Sequence, residues 1–407
     1  MKVLDYYDKF ECIGSECEDT CCSGWQVNID KKTYRKYKHI SDHTFRKEVL
    51  SNIVRDRSNV SGTAYKIKLH NDGSCPFLNE DKLCNIYKKC GESYLSDTCT
   101  VFPRRPSNVF NESQSAMSLA CPEVTRLAIL PESPVQLIDI DMLSVHSQRL
   151  QSIELKISAH LPADAQETYE AIRTVSFHII QMRHISLDER LFILGVFLDK
   201  LDQASKNNSY ILMNQIIVDF IAALDYPDEL LKQYQQFSSN PRLKLEYSLT
   251  MLISEYPEAA NPRFAECLEW LNKGLDIDYN EFDVDKIFEK YQNANEKFYR
   301  LFLQERGYFL ENYLISHLFH ADFPVSSQHS LFEGYLKLIT CFTNIQTILI
   351  GMAHYHQKIE TPHVLQLIQS YERYISHNAN YLPSLLKKLA DLKFNTMGPM
   401  MLLLKPS

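Results

Sequence analysis

Nine of the eleven cysteines fall within the first 121 residues, at Cys12, Cys17, Cys21, Cys22, Cys75, Cys84, Cys90, Cys99 and Cys121. Deprotonated sulfur is a soft ligand for zinc and iron–sulfur centres, and closely spaced thiols need little chain ordering to converge on one ion. The run Cys12-x4-Cys17-x3-Cys21-Cys22 offers up to four sulfurs from one short polar segment. A second group opens with Gly73-Ser74-Cys75-Pro76-Phe77-Leu78, continues to Cys84, and passes through Cys99 to Cys121-Pro122. Pro76 and Pro122 each remove a backbone donor and fix φ directly after a cysteine, which stiffens the loop. In an exported chain the same cysteines would read as disulfides. No apolar h-region opens this sequence, so the expectation is a cytoplasmic chain with reduced, metal-binding thiols. Cys90, in Lys88-Lys89-Cys90-Gly91, reads as an ordinary thiol. Cys267 and Cys341 stand alone in apolar helical patterns and read as small core residues.

A second stretch with chemical potential is Gly307-Tyr308-Phe309-Leu310-Glu311-Asn312-Tyr313-Leu314-Ile315-Ser316-His317-Leu318-Phe319-His320. Glu311, Asn312 and two histidines at i, i+3 interrupt an otherwise apolar helix. Polar groups in such a setting need partners, so they mark either an interhelical network or a site. Familiar nucleotide sites are absent: there is no Gly-x-Gly-x-x-Gly, no Walker loop, and only 11 glycines in 407 residues. Cys17-x3-Cys21 begins like the cluster loop of radical enzymes, but Gly24 stands where the third cysteine would be due.

The elements that must hold these groups divide the chain unequally. Residues 30–54 carry helical periodicity through Tyr34, Tyr37, Phe45, Val49 and Ile53. Tyr65-Lys66-Ile67-Lys68-Leu69 alternates like a short strand. Asn111-Glu112-Ser113-Gln114 reads as a hairpin turn between Val109-Phe110 and Ala116-Met117-Ser118-Leu119. Pro131, Pro134 and the run to Ile140 read as a linker. Beyond it helices are expected at about 164–182, 187–203, 210–225, 241–256, 262–273, 285–320, 329–358, 362–377 and 381–393, with Asp188, Asn240-Pro241 and Asn261-Pro262 as start signals. The expected fold is mostly α: a small irregular α+β cysteine-rich metal module over 1–130, followed by an all-α multi-helix domain over 131–407.

Charge is uneven. Through Leu130 there are 19 Lys and Arg against 17 Asp and Glu, whereas the remainder holds 24 against 34. An acidic body argues against nucleic acid as partner and suits a basic target such as exposed lysines. The longest greasy run, Ser209 to Leu224, is broken by Asn214, Gln215 and Asp219, so no segment reads as a membrane span of roughly 18 or more apolar residues.

Four ordered motifs together resemble the flagellin lysine-N-methylase family: Phe10-Glu11-Cys12-Ile13-Gly14-Ser15-Glu16-Cys17-Glu18-Asp19-Thr20-Cys21-Cys22-Ser23-Gly24-Trp25; Cys75-Pro76-Phe77-Leu78 with Leu83-Cys84-Asn85-Ile86-Tyr87; Thr98-Cys99-Thr100-Val101-Phe102-Pro103-Arg104; and Ser118-Leu119-Ala120-Cys121-Pro122-Glu123. Glu311-Asn312-Tyr313-Leu314 and Phe323-Pro324 are similar to the family's C-terminal half. The resemblance implies methyl transfer from S-adenosylmethionine to surface lysines of flagellin. It carries Cys12, Cys17, Cys21, Cys22, Cys75, Cys84, Cys99 and Cys121 onto the family's cysteines, as ligands of a [4Fe–4S] cluster or, second, of zinc. Within that frame Glu311 and Asn312 are candidate catalytic groups. Trp25 and Arg104, beside the ligand loops, are candidates for binding the donor or the lysine, with packing as the alternative role. Glu18 and Asp19 read as solvated loop charges. The competing functions are a metal-stabilised adaptor that grips flagellar or other export proteins without chemistry, and an electron-transfer or redox-sensing cluster protein.

Overall fold

A computed structural model describes residues 1–56, 65–141, 156–157, 163–206, 209–255, 261–278, 280–325, 329–378 and 380–405. The fold is mostly α, with a small α+β region at the N-terminal end and helix after helix beyond it.

Two small sheets organise the first part. One has three strands in the order β2 (Asn28–Ile29), β4 (Tyr65–Ile67), β3 (Ile53–Arg55), all antiparallel. The periodic stretch 30–54 is two helices rather than one, Lys31–Tyr37 and His43–Ser51, followed directly by β3. The break follows from Asp42, whose carboxylate accepts from Thr44 N and Phe45 N and so starts a new helix. Tyr37, Phe45, Val49 and Ile67 line the core of this region, with Cys22, Cys84, Cys90 and Cys99 packed at its edge.

The second sheet runs β7 (Leu137–Asp139), β1 (Lys2–Leu4), β6 (Glu112–Met117), β5 (Arg104–Val109), β8 (Lys156–Ile157). Its central hairpin turns at Phe110–Asn111, both with positive φ (56° and 55°), and Val109 faces Glu112 across the turn. A two-residue turn with both residues left-handed matches strand twist. The turn therefore lies one to two residues earlier than the polar run 111–114 suggested, and that run supplies the next strand instead. Leu137–Asp139, expected in a linker, pairs antiparallel with β1 and closes the sheet edge.

The larger core spans Val3 to Leu404 and is built by the helices. Leu331–His356 runs through its centre. At 26 residues it is long and apolar enough to cross a membrane, contrary to the expectation for this chain, yet its most apolar window is 94% buried inside the protein. It reads as a core helix. Where it crosses Pro262–Leu275, a Cβ on Gly274 would stand 2.0 Å from the Gly351 carbonyl oxygen, so the two helices meet backbone to backbone. The expected 285–320 helix is split into Val284–Ala294, a π turn at Asn295–Tyr299, Arg300–Arg306 and Tyr308–His320. The helices Asp228–Gln236 and Met397–Leu404 lacked a sequence signal strong enough to place them. Ser186, not Asp188, caps its helix, in a reciprocal box with Glu189.

Candidate metal centre and its contact with the helical body

The two cysteine groups are zipped together by backbone. Cys75 N donates to Cys22 O at 2.8 Å, Gly24 N donates to Gly73 O at 3.0 Å, and Ser23 and Ser74 form an antiparallel bridge. Gly24 has φ +77°, and a Cβ there would come within 3.2 Å of Arg373 Nη2, so the turn needs glycine. Leu78 bridges Cys84, and Cys84 and Cys121 both sit at helix N-caps, before Asn85–Cys90 and Pro122–Ile129. Cys99 lies within the short helix Asp97–Val101, capped by Ser96.

Electrostatics register this convergence. Burial raises the Cys75 thiol to about 12, with Cys99, Cys84 and Cys21 adding to it. Burial likewise raises Cys121 to about 12, helped by Cys17 and Cys21, and raises Cys17, helped by Glu18, Cys21 and Cys12. Cys21 is raised chiefly by its hydrogen bond with Cys22. Cys17, Cys75, Cys84 and Cys121 thus each lie within electrostatic reach of Cys21. Opposing the burial, backbone amides point at sulfur: Phe77 at Cys75, Tyr87 and Ile86 at Cys84, Val124 and Glu123 at Cys121. Amide donors aimed at sulfur suit a bound thiolate, and a soft cation would offset the burial that raises these thiols. The donor chemistry therefore fits. Among the described residues, no three His, Cys, Asp or Glu side chains stand close enough as they are to hold a metal ion. Cys267 and Cys341 are fully buried, as read from sequence.

The cysteine loops are gripped by the Thr361–Ser376 helix. Arg373 Nη2 donates to the Ser23 carbonyl at 2.6 Å and hydroxyl at 2.8 Å, and its Nη1 pairs with Asp19. Gln369 Nε2 donates to Asp19 Oδ2 and to the Ala120 carbonyl, both at 2.9 Å, beside Cys121. Glu18 pairs with Arg126. Asp19 is therefore an anchor rather than the solvated charge its loop context suggested, whereas Glu18 is exposed as expected, though paired with Arg126. No local signal in the sequence marks Gln369 or Arg373 as their partners.

Trp25 Nε1 donates to the Cys21 carbonyl at 2.7 Å, and its ring stacks on His377 (5.5 Å, 16°) and tilts against Phe102 at 5.6 Å. Burial, with Arg373 beside it, lowers the His377 imidazole to about 4, so this wall is neutral. The Arg104 guanidinium lies over the rings of Tyr7 (5.4 Å) and Phe10 (5.1 Å).

Glu311 and Asn312 lie elsewhere in the body. The Glu311 carboxylate accepts from Arg183 Nε at 3.0 Å and Nη2 at 2.9 Å and from Arg190 Nη1 at 2.8 Å. Asn312 Nδ2 donates to the Pro131 carbonyl at 2.8 Å. One of the two histidines of the same helix has a different partner. His317 Nδ1 meets Glu372 Oε1 at 2.7 Å, and Tyr313 Oη donates to that oxygen at 2.9 Å. Burial opposes the Glu372 charge, but His317 and its hydrogen bond hold the carboxyl below its usual range. Glu372 thus joins the Tyr308–His320 helix to the same turn that carries Arg373.

Fold and site together define a thiol-rich module clamped onto a mostly helical body, whose expected all-α character is broken by the strands Leu137–Asp139 and Lys156–Ile157. A family model described as the FliB lysine N-methylase C-terminal domain matches residues 173–403. The chain belongs to this FliB lysine N-methylase family. It is 23% identical over 386 residues to a lysine-N-methylase of Salmonella typhimurium, covering 92% of this chain and 91% of that protein. It is 22% identical over 382 residues to a lysine-N-methylase of Salmonella choleraesuis, covering 91% and 90%. A flagellar biosynthetic protein FliU of Salmonella muenchen is 40% identical over 139 residues, 34% of this chain and 82% of that one. No solved structure matches the chain.

Proposed function

We propose that this chain is an S-adenosylmethionine-dependent protein lysine N-methyltransferase that acts on surface lysines of flagellin. Membership in the lysine N-methylase family supports the reaction class, and the flagellar name of one relative supports the substrate. The observation that carries the reading is the grip of Arg373 and Gln369, inside the family-matched body, on the cysteine loop at Asp19 and Ser23.

The reaction requires a neutral lysine amine, whose ordinary pKa is about 10.4. Its lone pair attacks the sulfonium methyl carbon, the carbon–sulfur bond breaks with its electrons passing to sulfur, and the nitrogen then releases a proton. Trp25, stacked on His377 and beside Phe102, offers an aromatic wall that would hold the sulfonium cation by cation–π contact and keep water from the amine. Four of Cys12, Cys17, Cys21, Cys22, Cys75, Cys84, Cys99 and Cys121 would hold a [4Fe–4S] cluster, or zinc in its place, and the other four would form a second four-sulfur site or remain structural thiols. When bound, such a centre would stabilise the thiolates that ligate it and could accept lone pairs from the carboxylate and amine of the donor. For Glu311, two guanidinium partners favour a positioning role over proton transfer, and Asn312 fixes the chain at Pro131.

The test is incubation of the anaerobically purified chain with methyl-labelled S-adenosylmethionine and flagellin, followed by peptide mass spectrometry. Label on flagellin lysines is expected, with loss in Trp25→Ala. Binding of flagellin without any label transfer would contradict the enzymatic reading and favour the adaptor.

A further inference from the structure

The Tyr210–Leu224 helix is apolar on two sides. Met213, Ile217, Phe220 and Leu224 are buried against the body, Phe220 lying 4.9 Å from Phe197. The opposite side presents Ile211, Leu212, Val218 and Ile221, which are 87%, 46%, 61% and 49% exposed, and Tyr226 beyond the helix end is 82% exposed. Ile211 and Val218 are seven residues apart, and Ile221 and Ala222 follow Val218 by three and four, so they share a face rather than scatter. Exposed Asn214 and Gln215 interrupt the face between Ile211 and Val218. The apolar patch is therefore Val218, Ile221 and Ala222, with Tyr226 beyond them and Ile211 across the polar break. Such a cluster left in water is the mark of a contact surface.

Charge says what covers it. No Lys or Arg occurs between Lys206 and Lys232. Over the same stretch Asp219, Asp225, Asp228 and Glu229 are all exposed. An acidic rim repels a second copy of this face, and it is the wrong sign for an anionic lipid surface, which attracts basic segments. It attracts lysines and arginines that flank an apolar stripe.

We propose that this face docks a basic amphipathic helix of a protein partner. Apolar side chains at i, i+3/i+4 and i+7 of that helix seat against Ile211, Val218 and Ile221, while its flanking Lys and Arg meet Asp219 and Asp225. Equating this partner with the methylated protein rests on the function proposed above; the docking itself does not.

The test uses the full chain and two labelled helical peptides, one of Leu and Lys and one of Leu and Glu, read by fluorescence anisotropy. The Leu/Lys peptide binds, more weakly as salt is added, and the Leu/Glu peptide does not. Val218→Glu with Ile221→Glu, and separately Asp219→Lys with Asp225→Lys, each raise Kd by about tenfold or more, roughly 1.4 kcal/mol. These positions are exposed, so the thermal melt stays unchanged. Equal binding of both peptides, or variants that bind as tightly as the original chain, would overturn the proposal. So would a concentration-dependent dimer in sedimentation that the Glu variants abolish, which would assign the face to a second copy. Methyl transfer to flagellin, measured beside peptide docking, separates the two proposals: docking without transfer sinks the enzymatic reading alone, and transfer without docking sinks this one alone.

Discussion

Arg373 donates from Nη2 to the carbonyl oxygen of Ser23 at 2.6 Å, joining a helix near the C-terminal end to the turn that follows Cys21 and Cys22. The guanidinium is almost fully buried and also pairs with Asp19, so its planar fork serves three acceptors on one loop. Lysine, a single point charge, cannot reproduce that geometry. The cysteine loops are therefore positioned by the helical body as well as by any ion they bind.

Arg373→Ala leaves Asp19 and the Ser23 carbonyl without their buried partner. The expected cost is about 3 kcal/mol, the lower end for a broken buried pair because Asp19 keeps some access to water. Arg373→Lys should recover only part of it. Limited proteolysis is the second readout: cleavage within residues 12–25 should accelerate before the helical body melts.

At Glu311, substitution by Gln strands two guanidiniums that now share one carboxylate. A stability loss of about 3 kcal/mol is expected, moderated because Arg183 is partly exposed. If the role is positioning, the turnover of the protein that remains folded stays near normal. A collapse of kcat at unchanged melting temperature would instead place Glu311 in proton transfer.

His377 gives a pH dependence of known sign. Its folded pKa, about 4, lies below the ordinary 6.5, so the unfolded chain binds the extra proton first. Its contribution to stability is complete above pH 6.5 and is lost as pH falls from there toward 4. His377→Phe keeps a ring against Trp25 without the titration. Melting temperature plotted against pH should therefore fall less steeply for the variant between 6.5 and 4, and parallel curves would refute the assignment.

Much of the helical body could be read in advance because its signals are local. Pro241 and Pro262 open their helices after Asn240 and Asn261, and the Leu191-Phe192-Leu194 stripe is buried as its spacing implies. What escaped depends on distant partners. Glu372 sits 55 residues from His317, and nothing in its neighbourhood announces that contact. Leu137–Asp139 becomes a strand only because β1 offers it an edge. Phe110 and Asn111 turn the chain in left-handed conformations that a polar run downstream obscured. The approach of the two cysteine loops was legible by residue type and spacing, whereas the anchors Arg373 and Gln369 were not.

The crossing of Pro262–Leu275 with Leu331–His356 makes a sharp packing prediction. A methyl group on Gly274 would meet the Gly351 carbonyl oxygen, a backbone atom that cannot rotate away. Gly274→Ala should destabilise by roughly 1–3 kcal/mol or more despite its higher helix propensity. Chemical denaturation decides this, and a stabilised variant would mean that the helices separate freely.

Iron, zinc and sulfide analysis of the anaerobically purified full chain bears most directly on the metal-centred methylase proposed here. The expectation is about four iron and four sulfide per chain with a brown chromophore, lost in Cys21→Ser and Cys75→Ser and retained in Cys90→Ser. Stoichiometric zinc on the same cysteines would keep the centre and change its metal. A chain that carries neither iron nor zinc, yet folds and melts like the original, would contradict the metal centre outright.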